Sequence, residues 1–234
     1  MRSWSAPGPP VVGWVLLLVI CLAVGLGAPG WTTARAAARF PVSAADLAAA
    51  RAGLAALPVR PLGPDDDYVR EKFGQAWADV DGNGCDTRND VLARDLRDAR
   101  LDPDPGAPCV VLRGTLDDPY TGEVVPFARG PDSADVQIDH VVALADAWRT
   151  GARAWTAQRR LAFANDPANL LAVSGAANQD KGAADAAGWL PPQRGYGCVY
   201  VMRQVRIKVA YGLWVTADER AAMDAQLAGC VVSG

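Results

Sequence analysis

Histidine is almost missing from this chain: its 234 residues contain one, His140. Lysine is nearly as scarce, with Lys72, Lys181 and Lys208 the only three, so arginine carries the positive charge. No C-x-x-C pair occurs, which argues against a four-cysteine zinc site. There is no internal repeat and no low-complexity tail. An excess of positive charge is also lacking, since the formal net charge is −3, and this excludes a protein that wraps nucleic acid by bulk electrostatics. The charge is uneven, however. Residues 136–234 hold 10 basic and 8 acidic residues against 13 and 18 in residues 1–135, so a local positive face in the back half stays open.

The longest uncharged apolar run is VVGWVLLLVICLAVGLGA at 11–28. Small residues and an A-x-A-like triplet, Ala34-Arg35-Ala36, follow it, so residues 1–36 read as a cleaved signal peptide or, alternatively, an N-terminal membrane anchor facing outside. Cys21 lies inside the run after bulky Ile20, which speaks against lipid attachment. Beyond it remain Cys85, Cys109, Cys198 and Cys230, an even number in a chain bound for an oxidising compartment. Two disulfides follow, and of the three possible connectivities the sequence order favours Cys85–Cys109 and Cys198–Cys230. About 200 residues are left for folding, enough for one domain with an extension: a helix and linker at 37–66 and a main domain at 67–234.

Ser43 opens an alanine-rich helix that ends before Pro58, and Tyr68, Phe73 and Trp77 are spaced for a short helix. After the glycine-rich DVDGNGCDTRND a helix resumes over DVLARDLRDA, and CVVLRGTL and EVVPFA form a β-hairpin around DDPYTG. A strand ADVQIDH runs into a helix VVALADAWRT that stops at Gly151. AWTAQRRLAFAND is helical up to Pro167, NLLAV is a short strand, and SGAANQDKGAADA is a loop entering a helix. Two helices close the chain, the second with Thr216 as N-cap and Glu219 three residues on. The class is α+β.

Three pieces concentrate chemistry: Ile138-Asp139-His140 at a strand end, Asn169 at the start of the next strand, and Asn178-Gln179-Asp180-Lys181 entering a helix. Together they resemble the HNH endonuclease motif. The wider run from DGNGCDTRND through QIDHVVAL to NQDKG and GWLPP, roughly Trp77 to Pro192, is similar to the secreted HNH endonuclease family related to the C-terminal domain of GmrSD-type restriction enzymes. The resemblance implies a ββα-metal (HNH, His-Me finger) core at about 135–188, surrounded by extra helices. It implies His140 as the general base, the role an imidazole with a pKa near 6.5 suits best. Asp139 and Asn178 then supply oxygen ligands to one divalent metal, Mg²⁺ or Mn²⁺. Asn169 holds backbone across the loop, and Lys181 contacts a phosphate or the developing charge.

Outside the motif, Asp79-Val80-Asp81-Gly82-Asn83-Gly84 begins like a calcium loop, but its twelfth residue is Asp90 rather than glutamate. Calcium at Asp79, Asp81 and Asn83 is therefore a minor reading. Within the same stretch the resemblance gives Arg88 a phosphate to clamp, against a plain capping turn with a surface salt bridge. Arg149, Arg153, Arg159 and Arg160 follow a phosphate backbone only if they share a face. By itself a lone histidine is more often a satisfied polar residue than a catalyst, and here its neighbours shift the balance. The reading is an exported, metal-dependent endonuclease acting on nucleic acid, DNA ahead of RNA. The alternatives are a non-catalytic exported nucleic-acid or cell-wall binding module with a decayed site, and a calcium-stabilised surface protein.

Overall fold

The computed structural model describes residues 39–233, so the expected export segment at 1–36 lies outside the described residues. Helix α1 (Ala44–Ala56) starts where Ser43 caps it, the hydroxyl oxygen accepting from Asp46 N at 3.0 Å. Its buried Leu47, Ala50 and Leu54 pack on two long C-terminal helices, α6 (Gly197–Tyr211) and α7 (Ala217–Ala228). The helix expected around Tyr68 to Trp77 is reduced to one 3-10 turn, Arg70–Phe73. Gly74 ends that turn at φ +84°, a conformation that strains any residue with a Cβ, and such a Cβ would also push on Leu161 Cδ1 at 2.8 Å.

Helix α2 (Thr87–Asp95) is capped by Asp86, whose carboxylate accepts from Asn89 N at 2.8 Å. The sequence predicts this helix to run on through Ala99, but it stops at Asp95. Leu96–Leu101 is instead β1, the first strand of a three-stranded antiparallel sheet with β2 (Val111–Asp117) and β3 (Val124–Ala128). Tertiary pairing overrides helical preference here: Leu96 faces Leu116, and Gly114 lacks the Cβ that would come within 2.9 Å of Leu96 Cβ. The expected hairpin thereby becomes a sheet with a bulged, arginine-bearing edge.

The second sheet has two antiparallel strands, β4 (Val136–His140) and β5 (Leu170–Ser174). Between them run α3 (Leu144–Arg149), a 3-10 turn at Ala152–Ala154, and α4 (Ala157–Ala164). Helix α5 (Gly175–Lys181) follows β5 without a loop, and Gly175 is required because a Cβ would strike the Ala134 carbonyl. The outer edge of β5 is closed by side chains. Arg94 and Arg203 both donate to the Leu170 carbonyl at 2.7 Å, and the Asp95 carboxylate accepts from Ala172 N at 2.8 Å.

This sheet divides the interior. Val136, Ile138, Leu170 and Ala172 face a cluster built with α2 and the three-stranded sheet, while Leu171 and Val173 face the larger cluster under α1, α6 and α7. Two disulfides tie down the periphery, Cys85–Cys109 and Cys198–Cys230, with Cα separations of 5.5 and 5.8 Å. Closing loops of that size limits the unfolded chain by about 3–4 kcal/mol each. No helix among the described residues is long and apolar enough to cross a membrane.

Beneath α7 lies a buried ionic cluster. Lys208 Nζ is 2.9 Å from Asp146 Oδ2 and 2.7 Å from Glu219 Oε1, with Asp185 close by. Burial pushes the Glu219 carboxyl up to about 7, although Lys208 pulls the other way. A carboxyl with a raised folded pKa keeps its proton after the unfolded chain has lost it, so stability falls as pH rises from about 4.5 through 7. Glu219→Gln should remove that contribution. In thermal unfolding, the Tm of the variant relative to wild type should be higher at pH 8 than at pH 5, and a difference independent of pH would contradict the assignment.

Candidate active site around His140

Strand alternation decides the layout of the site. Asp139 and His140 are neighbours in sequence, so they leave β4 on opposite faces. Asp139 turns toward α5 and is 4% exposed. Its Oδ1 takes the Lys181 ammonium at 2.9 Å, and its Oδ2 accepts the Tyr120 hydroxyl at 2.5 Å. Lys181, 1% exposed, also donates to the His140 carbonyl at 2.9 Å. Burial pushes the Asp139 carboxyl up, while Lys181 and Tyr120 draw it back down. Burial and the adjacent Asp139 hold the Tyr120 phenol well above its usual range, so it remains a donor.

His140 turns the other way. Its Nε2 lies 2.8 Å from the Ala164 carbonyl at the end of α4. A carbonyl only accepts, so Nε2 carries the ring proton and Nδ1 keeps the lone pair. The Trp77 ring lies nearly parallel to the imidazole, with centroids 6.3 Å apart and planes 16° apart. Trp77 takes a left-handed φ of 58°, a conformation costing on the order of 1–3 kcal/mol, held by Thr87 through Trp77 O and Ala78 O. Burial, with repulsion from Arg70 and Lys181, pushes the imidazole down to about 3 against the opposing bond to Ala164, so the ring is neutral. His140 opens onto a concavity of about 210 Å³ whose other walls include Arg70, Glu71, Phe73, Gln75 and Trp77.

Asn169 fixes the chain just after His140. Its Oδ1 accepts from Val142 N at 2.9 Å, its Nδ2 donates to Val142 O at 3.3 Å, and its carbonyl accepts from Val141 N at 2.8 Å. Asn178 is not brought to Asp139; its amide donates to Gln137 Oε1 at 2.9 Å. Arg88 donates to Val136 O at 3.4 Å, at the far end of β4, about 13 Å of strand from His140. Of the four arginines between the strands, three are engaged by the protein: Arg153 by Asp66 and Asp67, Arg159 by Tyr211 O, and Arg160 by Lys72 O and Trp155 O. The loop at Asp79 closes on itself, its carboxylate accepting from Gly82, Asn83 and Gly84 N.

Two expected roles do not match this arrangement. Lys181 is enclosed and committed to Asp139 and the His140 carbonyl, so its ammonium does not face a phosphate. A divalent ion held by Asp139 and Asn178 does not fit as these residues stand, because both carboxylate oxygens are taken. A small hard cation would also have to shed its water to enter so closed a space. Residues outside the motif matter as much as those within it: Tyr120 reads only as part of a Pro-Tyr turn, Ala164 contributes a carbonyl, and Trp77 and Arg70 lie in an irregular segment.

The site thus belongs to an α+β protein that buries a Lys–Asp pair beneath a two-stranded sheet and presents one neutral histidine to a cleft. Residues 86–225 match the family described as GmrSD restriction endonucleases, C-terminal domain. The chain is also 38% identical over 192 residues to an "Uncharacterized secreted protein" of Arthroderma benhamiae, covering 81% of this chain and 89% of that one. It belongs to the GmrSD restriction endonuclease C-terminal domain family. No solved structure matches.

Asn169→Ala should leave both polar groups of Val142 without partners inside the fold and cost on the order of 3 kcal/mol. Urea denaturation measures this, and a loss under 1 kcal/mol would mean that Asn169 does not hold the loop.

Proposed function

We propose that this chain is an exported HNH-type nuclease that hydrolyses phosphodiester bonds, with β4, β5 and α5 as its ββα core and DNA ahead of RNA as substrate. Membership of a restriction endonuclease domain family supports the nuclease class. Export is supported by two disulfides and by a relative named as secreted. The observation that carries the reading is His140 itself, anchored through Nε2 on a carbonyl, neutral, and opening onto a cleft.

In this reading Nδ1 of His140 takes a proton from a water as the water oxygen bonds to phosphorus. The phosphorus bond to the leaving 3′ oxygen breaks, and that oxygen is protonated from solvent. Fixing the imidazole by Ala164, Trp77 and the Asn169-bound loop holds the acceptor nitrogen in one direction, which is what makes general-base catalysis efficient. The metal that the family resemblance implies would supply charge stabilisation at the phosphate. Asp139 and Asn178, as they stand, are not arranged to hold it.

His140→Ala should reduce plasmid nicking by about 10²- to 10⁴-fold in a protein of unchanged circular dichroism. An active variant would remove His140 from the chemistry. Because the imidazole is pushed down to about 3, the loss of kcat/KM on acidification should lie well below pH 6. A limb with its midpoint near 6.5 would show an ordinary solvated histidine instead. Cleavage that persists undiminished in excess EDTA would take the divalent ion out of the reaction, whereas abolition would require Lys181 to withdraw from Asp139 on binding.

A further inference from the structure

Lys181 is enclosed and Arg88 stands at the other end of β4, so neither cation expected to meet the phosphate reaches the cleft that His140 faces. Yet attack of water on a phosphodiester needs positive charge where the phosphorane forms. One guanidinium lines the same concavity as the imidazole: Arg70. It is exposed, and its side chain has no ion-pair or hydrogen-bond partner among the described residues, in contrast to Arg94, Arg153, Arg159, Arg160 and Arg203 nearby in the fold.

The turn that carries Arg70 is fixed. Phe73, 1% exposed, packs between Trp148 and Phe163 with ring centroids 6.1 Å from each. The Lys72 carbonyl accepts from Arg160 Nε at 2.8 Å, and Lys72 Nζ reaches back to Asp67 O. Phe73, Leu144 and Ala164 give the cleft apolar walls, which strengthen the field of any charge beside them. Glu71 also lines the cleft, while Arg70 and the enclosed Lys181 both oppose protonation of the imidazole. The accessible one is Arg70.

Resting on the phosphodiesterase reading above, we infer that Arg70 is the substrate-binding cation of this site, its guanidinium receiving the non-bridging oxygens of the phosphate that His140 Nδ1 addresses. The ligand class is a phosphodiester, or any oxyanion ester of that size, seated between Arg70 and the imidazole with Trp77 as the wall. A planar guanidinium fork suits two phosphate oxygens better than an ammonium does.

The test uses the full secreted chain and a 20-base-pair duplex, with Arg70→Ala and Arg70→Lys compared with wild type for kcat and KM. Arg70→Ala should lower kcat/KM by about 10- to 100-fold, the scale of hydrogen bonds to a charged group, and Arg70→Lys should recover part of it. Both variants should melt within a degree or so of wild type, since the Arg70 side chain is exposed and makes no hydrogen bond or ion pair among the described residues. In a His140→Ala background, where the duplex binds without being cut, Arg70→Ala should also reduce the slope of log K against log salt by about 0.9, one phosphate contact fewer. A variant with wild-type kcat/KM and an unchanged salt slope would overturn the role of Arg70 while leaving the nuclease reading intact. A wild-type protein that cuts neither DNA nor RNA would overturn both.

Discussion

The Asp139–Lys181 pair is the contact on which the rest of the site depends. An ammonium and a carboxylate have been taken out of water together, 2.9 Å apart, with the Tyr120 hydroxyl on the remaining carboxylate oxygen and the His140 carbonyl on the ammonium. Removing one partner of such a pair leaves the other charged and enclosed, typically at about 3–5 kcal/mol. The pair joins β4 to α5 and, through Tyr120, to the turn between β2 and β3. It also fixes the peptide plane of His140 from the side opposite the imidazole, so the backbone of His140 is held by one face of the sheet and its ring by the other.

Rigidity on both sides has a chemical consequence. The imidazole is packed by Trp77 and Ala164 and is repelled by Arg70 and Lys181, so protonation is opposed by burial and by charge. Such a histidine is always ready to accept a proton but is intrinsically a weak base, so in the proposed reaction more of the work falls on orientation and on positive charge at the phosphate. The family places the chain among restriction endonuclease domains, and the cleft is lined by an imidazole, a guanidinium with no hydrogen-bond or ion-pair partner among the described residues, and an aromatic wall.

The sequence made some of this legible and hid the rest for a physical reason. Ser43 and Thr216 each leave a cap oxygen where the first helical N–H needs an acceptor, and both caps form. The cysteine pairs follow chain order. The motif residues His140, Asp139, Asn169 and Lys181 all gather around the end of β4. Which face each occupies is a matter of alternation and burial: adjacent letters in Asp139-His140 end up on opposite sides of the sheet. Lys181, which the resemblance sends to a phosphate, closes the core instead. Leu96–Ala99 reads as helix because the strand it pairs with lies ten to twenty residues further on, and the helical spacing of Tyr68, Phe73 and Trp77 yields only the short turn Arg70–Phe73, with nothing in the pattern to mark Arg70.

Because the chain has a single histidine, the state of the base can be read without assignment ambiguity. Nitrogen-15 NMR of the imidazole across pH 4–8 is the most direct test of the account. It predicts one neutral tautomer with the proton on Nε2, a bare Nδ1, and no titration over that range. A midpoint near 6.5, or a proton on Nδ1, would contradict it.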